Sequence, residues 1–541
     1  MAADFDTIKY MWPELILVIT AALIYVFGAV FQQGVRWGIF ALLAFVVAGF
    51  TTYRQVTCED LNAVWLVEGP LLNDHLGLVV RCAMYLVGVL FVIMVPRSET
   101  RELTGEVYGS LLLVMVGTML VAQAGNLVLL FLSLELISIP TYVLLFLGRR
   151  SVSTAEATTK YFFLSVLSSV LLLYGFSFLY GLAGTTSLVE IHGVLAAGVL
   201  NSESVIYPGL VPIAFMLILA GLGFKIAIVP FHFYAPDVYQ GTTNLNAGLL
   251  SVIPKLAGIV VLTRLMLVMA PALGPWAWQT VMVIAMATMT LGNVSALWQK
   301  NVRRMMAFSS IAHAGYMLIG LVIALAWKSG PASQDAISAM LLYLAVYVVA
   351  SIGTFAAFTW LSDEDRDLVH FDQLAGIGTR RPIAAMCLAV FMFSLAGIPP
   401  LAGFWGKLLL FWETVRSGLL ADEHTISFCF IMLAVVGVVN AAIGAAYYLR
   451  LIATMYFSAG DSETHHTGQR VVGAGMAMLF CSLLIVAIGL KPGQIIRTIE
   501  KASRAVRLGP RSVENNSLTR SPAVLAGKGY IVQPVSDGLK R

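Results

Sequence analysis

Residues Gly221–Arg264 read GLGFKIAIVPFHFYAPDVYQGTTNLNAGLLSVIPKLAGIVVLTR. An apolar run reaches Lys225 and then breaks, with Pro230 and Pro236 bracketing an irregular piece that holds His232 and Asp237. A second apolar run follows, with Lys255 inside it. A lysine near the centre of a bilayer costs at least about 2.5–3.5 kcal/mol on insertion scales. Two of them around a broken segment need a reason. Non-helical backbone at membrane depth is tolerated only where protein or a water-filled cavity surrounds it. The stretch therefore reads as the middle of an ion path.

The rest of the chain agrees with a membrane setting. Its 541 residues are 59% hydrophobic and only 11% charged, with a mean hydropathy of +0.87. Soluble domains carry about 25% charged residues, so this is a polytopic membrane protein with little room for a soluble domain. A net charge of +4 gives no reason to expect nucleic acid. The amino terminus, MAADFDTIKY, lacks the basic n-region of a secretory signal. The five cysteines, Cys58, Cys82, Cys387, Cys429 and Cys481, are scattered and form no C-x-x-C pair. Iron–sulfur ligation needs clustered thiolates, so free, mostly buried thiols are expected.

A spanning helix needs about 20 apolar residues. Runs of that kind predict an all-α fold of about fourteen transmembrane helices. The first begin at Met11, Trp37 and Leu76, and the last at Ile383, Phe428 and Val471. With the amino terminus outside, inner loops and helix ends hold 13 Lys and Arg against four in the outer ones. Short loops rich in Lys and Arg stay inside, which favours that orientation. The tail from Lys491 carries ten more basic residues and argues the other way, but it is made last. Within it, IIRTIEKASRAV has the pattern of an amphipathic interfacial helix.

Two parts of the chain echo each other. Glu135 precedes Lys225 by 90 residues, and His313 precedes Lys407 by 94, each lysine lying near a proline-broken stretch. Lys225 precedes its break, whereas Lys407 follows Pro399-Pro400. Helical spacing puts Glu135, Ser138 and Tyr142 on one face, and Ser309, His313 and Tyr316 on another. Ser251 and Gly258 share the face of Lys255, leaving space there for water. Burial lowers a lysine's pKa and a nearby carboxylate raises it, so a line of such groups can take up and release protons. Plainer roles compete at each position. Lys225 can snorkel to the interface, Glu135 can be a neutral hydrogen-bonded core residue, and His313 a satisfied core histidine. Haem ligation would need two facing intramembrane histidines, and only His232 is left to pair with His313. Glu14, Arg81, Lys160 and Arg264 read as interface anchors or pairing partners.

These motifs resemble the antiporter-like membrane subunits of respiratory complex I, within the proton-conducting membrane transporters. The carrying stretches run from GEVYGSLLLVMVGTMLVAQAGNLVLLFLSLELISIPTYVL through FKIAIVPFHFYAPDVYQG, VIPKLAG and SSIAHAGYMLIG to SLAGIPPLAGFWGK. Lysine at 255 and at 407 brings the chain nearest to the N-type subunits. The resemblance implies two inverted five-helix repeats, each with a broken helix: residues 106–269 and 270–457. Helices in 1–105 precede them. A loop and a last helix in 458–490 and a basic tail in 491–541 follow. It further implies a proton relay of Glu135, Lys225, Lys255, His313 and Lys407, driven by quinone reduction in other subunits. No cofactor or metal is expected on this chain; NADH, flavin, iron–sulfur clusters and quinone are expected in partner subunits. The expected partners are other membrane subunits, antiporter-like and small, in the cell's inner membrane. The chain departs from the family pattern at Gln240–Asn246, which lacks the usual proline-bearing stretch. A sodium–proton antiporter subunit and a purely structural membrane-arm subunit are the alternatives.

The loop charges make a direct prediction. Reporter fusions at Pro331–Asp335 should read outside and fusions after Asp365 inside; the reverse pattern would overturn the orientation.

Overall fold

The computed structural model describes residues 10–31, 36–58, 70–95, 104–148, 151–200, 209–328, 330–362, 368–458 and 471–505. The acidic loop 363–367, His465-His466, the side chain of Cys58 and the tail beyond 505 lie outside the described residues. So do Arg97, Arg101, Arg149, Arg150, Arg366 and Arg470. The described chain is helical, and β-pairing is limited to isolated bridges such as Leu71 with Ala124. The helices are α1 Trp12–Val30, α2 Trp37–Cys58, α3 His75–Met94, α4 Thr104–Gln123, α5 Leu127–Phe146 and α6 Val152–Ala183. Next come α7 Leu188–Leu200, α8 Leu210–Ile226, α9 Ala235–Gly241, α10 Asn244–Met269, α11 Pro275–Leu297 and α12 Val302–Trp327. The last are α13 Pro331–Leu361, α14 Pro382–Ala396, α15 Ala402–Leu419, α16 His424–Phe457, α17 Val472–Leu490 and α18 Gly493–Ala505. Among the described residues, twelve helices are long and apolar enough to cross a membrane: α1–α6, α10–α13, α16 and α17.

Local chemistry sets the helix ends. Asp74, Asn126, Thr243 and Asn301 cap α3, α5, α10 and α12 by accepting an amide hydrogen bond three residues on. Proline opens α1, α11, α13 and α14, where its missing N–H costs nothing. Because α13 begins at Pro331, the stretch 331–335 is its first turn and not a loop. Asp335 in that turn pairs with Arg416 of α15 at 3.0 Å, so these two residues share one end of the bundle. The run from Ile383 to Trp412 is two helices, α14 and α15, separated at residues 397–401. Helix α7 was not expected: its 13 apolar-rich residues are too few to span and sit between two longer runs.

Helix α10 is the centre of the fold. Its membrane-length window is entirely buried, and α12 is almost as enclosed. α10 touches α4, α8, α12 and α13. Near its end Arg264 is fully buried and donates to the Asp74 carboxylate and, at 2.7 Å, to the Ala122 carbonyl. Asp74 also accepts from the Gly77 amide, so one carboxylate both caps α3 and binds α10. Beside it Arg81 grips Glu14 through two nitrogens at 2.8 and 3.0 Å, and Gln123 bonds both partners. Arg81, Glu14 and Arg264 are therefore interior pairing partners and not interface anchors. Helix α18 is amphipathic, but its Ile499 and Ala502 are buried against α3 and α13. Its Ser503 hydroxyl meets Ser338 at 2.7 Å, so protein covers its apolar face.

Breaking a buried ion pair on one side costs about 3–5 kcal/mol, because the other charge stays behind. Arg264→Met should therefore sharply reduce the membrane content and thermal stability of the folded protein. Adding Asp74→Asn, which keeps the cap of α3, should restore much of both. Thermal unfolding in detergent checks this, and an Arg264→Met single variant of parental stability would contradict it.

Candidate functional site

The first break gathers charge. Helix α8 ends at Ile226, and Ala227 turns left-handed at φ 58°. The amides of Ala227 and Ile228 fold back onto the carbonyls of Phe224 and Gly223. Lys225 thus lies in the last turn, where the partial negative charge of the helix end favours a cation. Its ammonium donates to the Ser138 hydroxyl at 2.9 Å and stands 3.8 Å from the Glu135 carboxylate. The Ser169 hydroxyl of α6 donates to that same Glu135 oxygen. Glu135 and Ser138 share a face of α5, as their spacing predicted. The Glu135 side chain keeps 23% of its exposure and has the exposed Leu132 and Ile139 on the same helix. It therefore sits at the bundle's side and not at its centre.

Lys255 is buried on α10 and donates to the Ser310 hydroxyl of α12. Ser310 meets the Tyr347 hydroxyl at 2.7 Å, and Tyr347 donates to the Ser251 carbonyl at 3.1 Å. The space expected beside Gly258 is not open to water. A Cβ there would lie 2.3 Å from the Ile226 side chain, so the glycine admits the residue next to Lys225. The Ser251 hydroxyl turns back to the Gly248 carbonyl. The crossing of α8 and α10 is a close backbone contact, which a size-and-polarity reading of the helix face did not foresee.

His313 is buried on α12, with Nδ1 2.6 Å from the Tyr343 hydroxyl and Nε2 2.9 Å from the Tyr448 hydroxyl. Both ring nitrogens thus have hydroxyl partners. Tyr448 also bonds Ser309, so two of the three stripe residues, Ser309 and His313, meet on one partner. The third, Tyr316, accepts from the Asn293 amide at 3.2 Å.

Lys407 lies on α15 just past the second break. Its ammonium donates to the Leu395 and Ala396 carbonyls at 2.9 and 2.8 Å, and it lies 5.2 Å from the Tyr316 ring centre. Those carbonyls belong to the end of α14, where Gly397 takes φ 89°, a left-handed value that glycine adopts freely. A small cavity of about 10 Å³, room for about one water, is lined by His313, Tyr343, Tyr347, Ser394 and Lys407 among others.

Five predicted site residues thus fall into two groups. Glu135 pairs with Lys225 at the first break, while Lys255, His313 and Lys407 surround the hydroxyls of Ser310, Tyr347 and Tyr343. No direct contact joins Lys225 to Lys255. Ser310, Tyr343 and Tyr347 escaped sequence reading because a serine or tyrosine in an apolar run is ordinarily a core residue with one polar tip. The spacing of Tyr343 and Tyr347, four apart on one helix face, was the available signal. Near the first break, Lys160 and Arg304 both hold Asp237, at 2.9 and 2.6 Å, and Gln240 accepts from Arg304 at 3.0 Å. In the departing stretch Thr243 caps α10 and Asn246 donates to the Leu144 carbonyl at 2.8 Å. Polar side chains therefore anchor the chain where the family pattern has proline.

The family model described as NADH:quinone oxidoreductase/Mrp antiporter, TM, matches residues 124–437, which contain every one of these groups except Tyr448. The chain belongs to that family. The NADH-quinone oxidoreductase subunit N of Sphingopyxis alaskensis is 35% identical over 507 residues, covering 93% of this chain and 99% of that one. A chain of respiratory complex I from Thermus thermophilus with bound aureothin superposes with a TM-score of 0.71 at 28% identity. That match covers 90% of this chain and 99% of the other. A chain of the Mrp complex from Dietzia shares the fold, with a TM-score of 0.75 at 20% identity over 95% of this chain and 100% of that one.

The close contact at Gly258 is testable. Gly258→Val forces Ile226 aside, and a β-branched residue in a helix has little rotamer freedom to yield. Ion transport should fall several-fold while the protein remains in the membrane. Unchanged transport at normal protein content would mean that the crossing does not position Lys225.

Proposed function

We propose that this chain is a proton-translocating, N-type membrane subunit of an NADH–quinone oxidoreductase, and that Glu135, Lys225, Lys255, His313 and Lys407 carry the protons. The carrying observation is the Glu135–Lys225 pair, two ionisable groups on separate helices 3.8 Å apart beside a helix break. Unit charges about 4 Å apart interact by about 4 kcal/mol at an effective dielectric of about 20. That is enough to couple the charge state of one group to the other. An ionised Glu135 holds the ammonium of Lys225; loss of its field releases the proton toward Lys255. From Lys255 the path continues by His313 to Lys407.

The partial exposure of Glu135 on the side of the bundle supports a neighbouring membrane subunit there, whose charge would tune the pair. On this reading NADH, flavin, iron–sulfur clusters and quinone belong to partner subunits. Counting α8–α9 and α14–α15 as one broken span each, with the twelve long helices, gives fourteen. The matching left-handed turns after α8 and α14 support two repeats, 106–269 and 270–457. With an even count α1 begins and α17 ends on the same side of the membrane, the outer side by the loop charges. The likeness of fold to an Mrp complex chain favours one rival, a sodium–proton antiporter subunit. Sodium-dependent transport without quinone reductase activity would decide for it.

The test measures quinone reduction and vesicle acidification in membranes of three variants, with complex content read on native gels. Glu135→Gln should slow pumping several-fold in assembled complex, since glutamine keeps size and hydrogen bonding. Lys225→Ala should do more harm. Lys225→Arg should fail as well, because arginine does not release its proton. Full pumping by assembled Lys225→Ala would return this lysine to an interfacial, snorkelling role.

A further inference from the structure

His313 is held in a way that the relay of charged groups does not explain. A neutral imidazole carries one N–H and one bare nitrogen. Here each nitrogen meets a different tyrosine hydroxyl, from two different helices, so one hydroxyl accepts while the other donates. Tyr448 of α16 reaches Nε2 and is itself bonded to Ser309, one turn back on the histidine's own helix. Tyr343 of α13 covers Nδ1 at 2.6 Å, and Tyr343 and His313 both line the cavity that also holds Lys407 and Tyr347. The ring is therefore a junction with unlike sides. Nε2 faces a closed hydroxyl pair, and Nδ1 faces a hydroxyl that opens on the cavity. Tyr347 joins the same cavity to Lys255 through Ser310.

We propose that Tyr343 is the proton-transfer group between His313 and the cavity shared with Lys407, and that Tyr448 with Ser309 positions the ring to receive the proton at Nδ1. This rests on the relay reading above and adds groups to it. With Nε2–H donating to Tyr448, and Tyr448 donating on to Ser309, Nδ1 is bare and accepts from Tyr343. A proton reaching water in the cavity from Lys255, by way of Ser310 and Tyr347, passes to the Tyr343 oxygen as Tyr343 gives its own proton to Nδ1. The product is an imidazolium and an unchanged tyrosine. In the second step the Nδ1 proton returns to the Tyr343 oxygen as the Tyr343 proton leaves through the cavity to the neutral amine of Lys407. Tyr343 gives and takes one proton in each step, and the net change is one proton moved from Lys255 to Lys407. Without the hydroxyl, Nδ1 faces a ring edge that cannot carry a proton.

The test uses the intact complex in membrane vesicles and reads protons moved per NADH oxidised. Tyr343→Phe should lower that ratio as far as His313→Ala does, at parental complex content. The double variant should be no worse than either single one, because both remove the same step. The solvent deuterium isotope effect on pumping should rise in Tyr343→Phe, since the missing bridge makes transfer at His313 limiting; a packing defect would leave it unchanged. Tyr448→Phe should lower the ratio by less and raise the same isotope effect. Parental pumping by assembled Tyr343→Phe, with His313→Ala defective, would overturn this proposal and leave the relay standing. Parental pumping by His313→Ala would overturn both. A loss of pumping in Tyr343→Phe with an unchanged isotope effect would reduce the tyrosine to packing and also count against the proposal.

Discussion

A charge inside an apolar bundle must be answered where it stands, and this chain answers its buried charges in two ways. Some meet a fixed opposite charge. Others meet only dipoles, either hydroxyl groups or the carbonyl end of a broken helix. The difference divides the molecule. Glu14 with Arg81, and Asp74 with Arg264, are close, hydrogen-bonded ion pairs that hold the first helices to the body. Lys255 and Lys407 are held by a serine hydroxyl and by two backbone carbonyls. Dipoles stabilise an ammonium without demanding it as a fixed counter-ion does, which supports the proposal that these lysines, like Lys225, change charge.

The two breaks show the same physics reached by different routes. Lys225 precedes its break and Lys407 follows its own, which in sequence weakened the case for a repeat. In three dimensions both lysines stand at the end of a broken helix, though only the Lys407 ammonium bonds its terminal carbonyls. Lys225 belongs to the last turn of α8, and Lys407 reaches back from α15 to the last carbonyls of α14. A helix terminus leaves carbonyls without amide partners and carries about half a negative charge. Breaking a helix inside the membrane therefore creates a cation site, and either flanking segment can supply the lysine.

Much of this was legible in the sequence, and the illegible parts share a cause. Apolar runs, proline pairs and lone ionisable residues are local signals, and they marked the helices, the breaks and the five ionisable groups. What lay between those groups was not local. Ser169, Ser310, Tyr343, Tyr347 and Tyr448 come from four helices, and each alone is an ordinary residue of a packed membrane helix. Gly258 was misread for the same reason. Its missing side chain suggested space, but the partner that fills it, Ile226, comes from another helix. The substitution of polar residues at Gln240–Asn246 also became intelligible only once Leu144 and Arg304 stood beside them.

Helix α10 carries both kinds of charge on one continuous helix, and this limits how the protein can work. Arg264 at one end is immobilised by Asp74 and the Ala122 carbonyl, while Lys255 lies nine positions earlier. At 1.5 Å per residue that is about 13 Å along the axis. A shift of α10 large enough to carry Lys255 toward Lys225 would tear a fully buried guanidinium from its carboxylate, at a cost of several kcal/mol. The backbone of α10 is therefore a poor candidate for the moving part. On the proposed reading, its fixed lysine exchanges protons by reorientation of side chains, hydroxyls and water around it. The hydroxyl network on α12, α13 and α16 supplies such groups within hydrogen-bonding reach of Lys255 and His313, on helices that need not move.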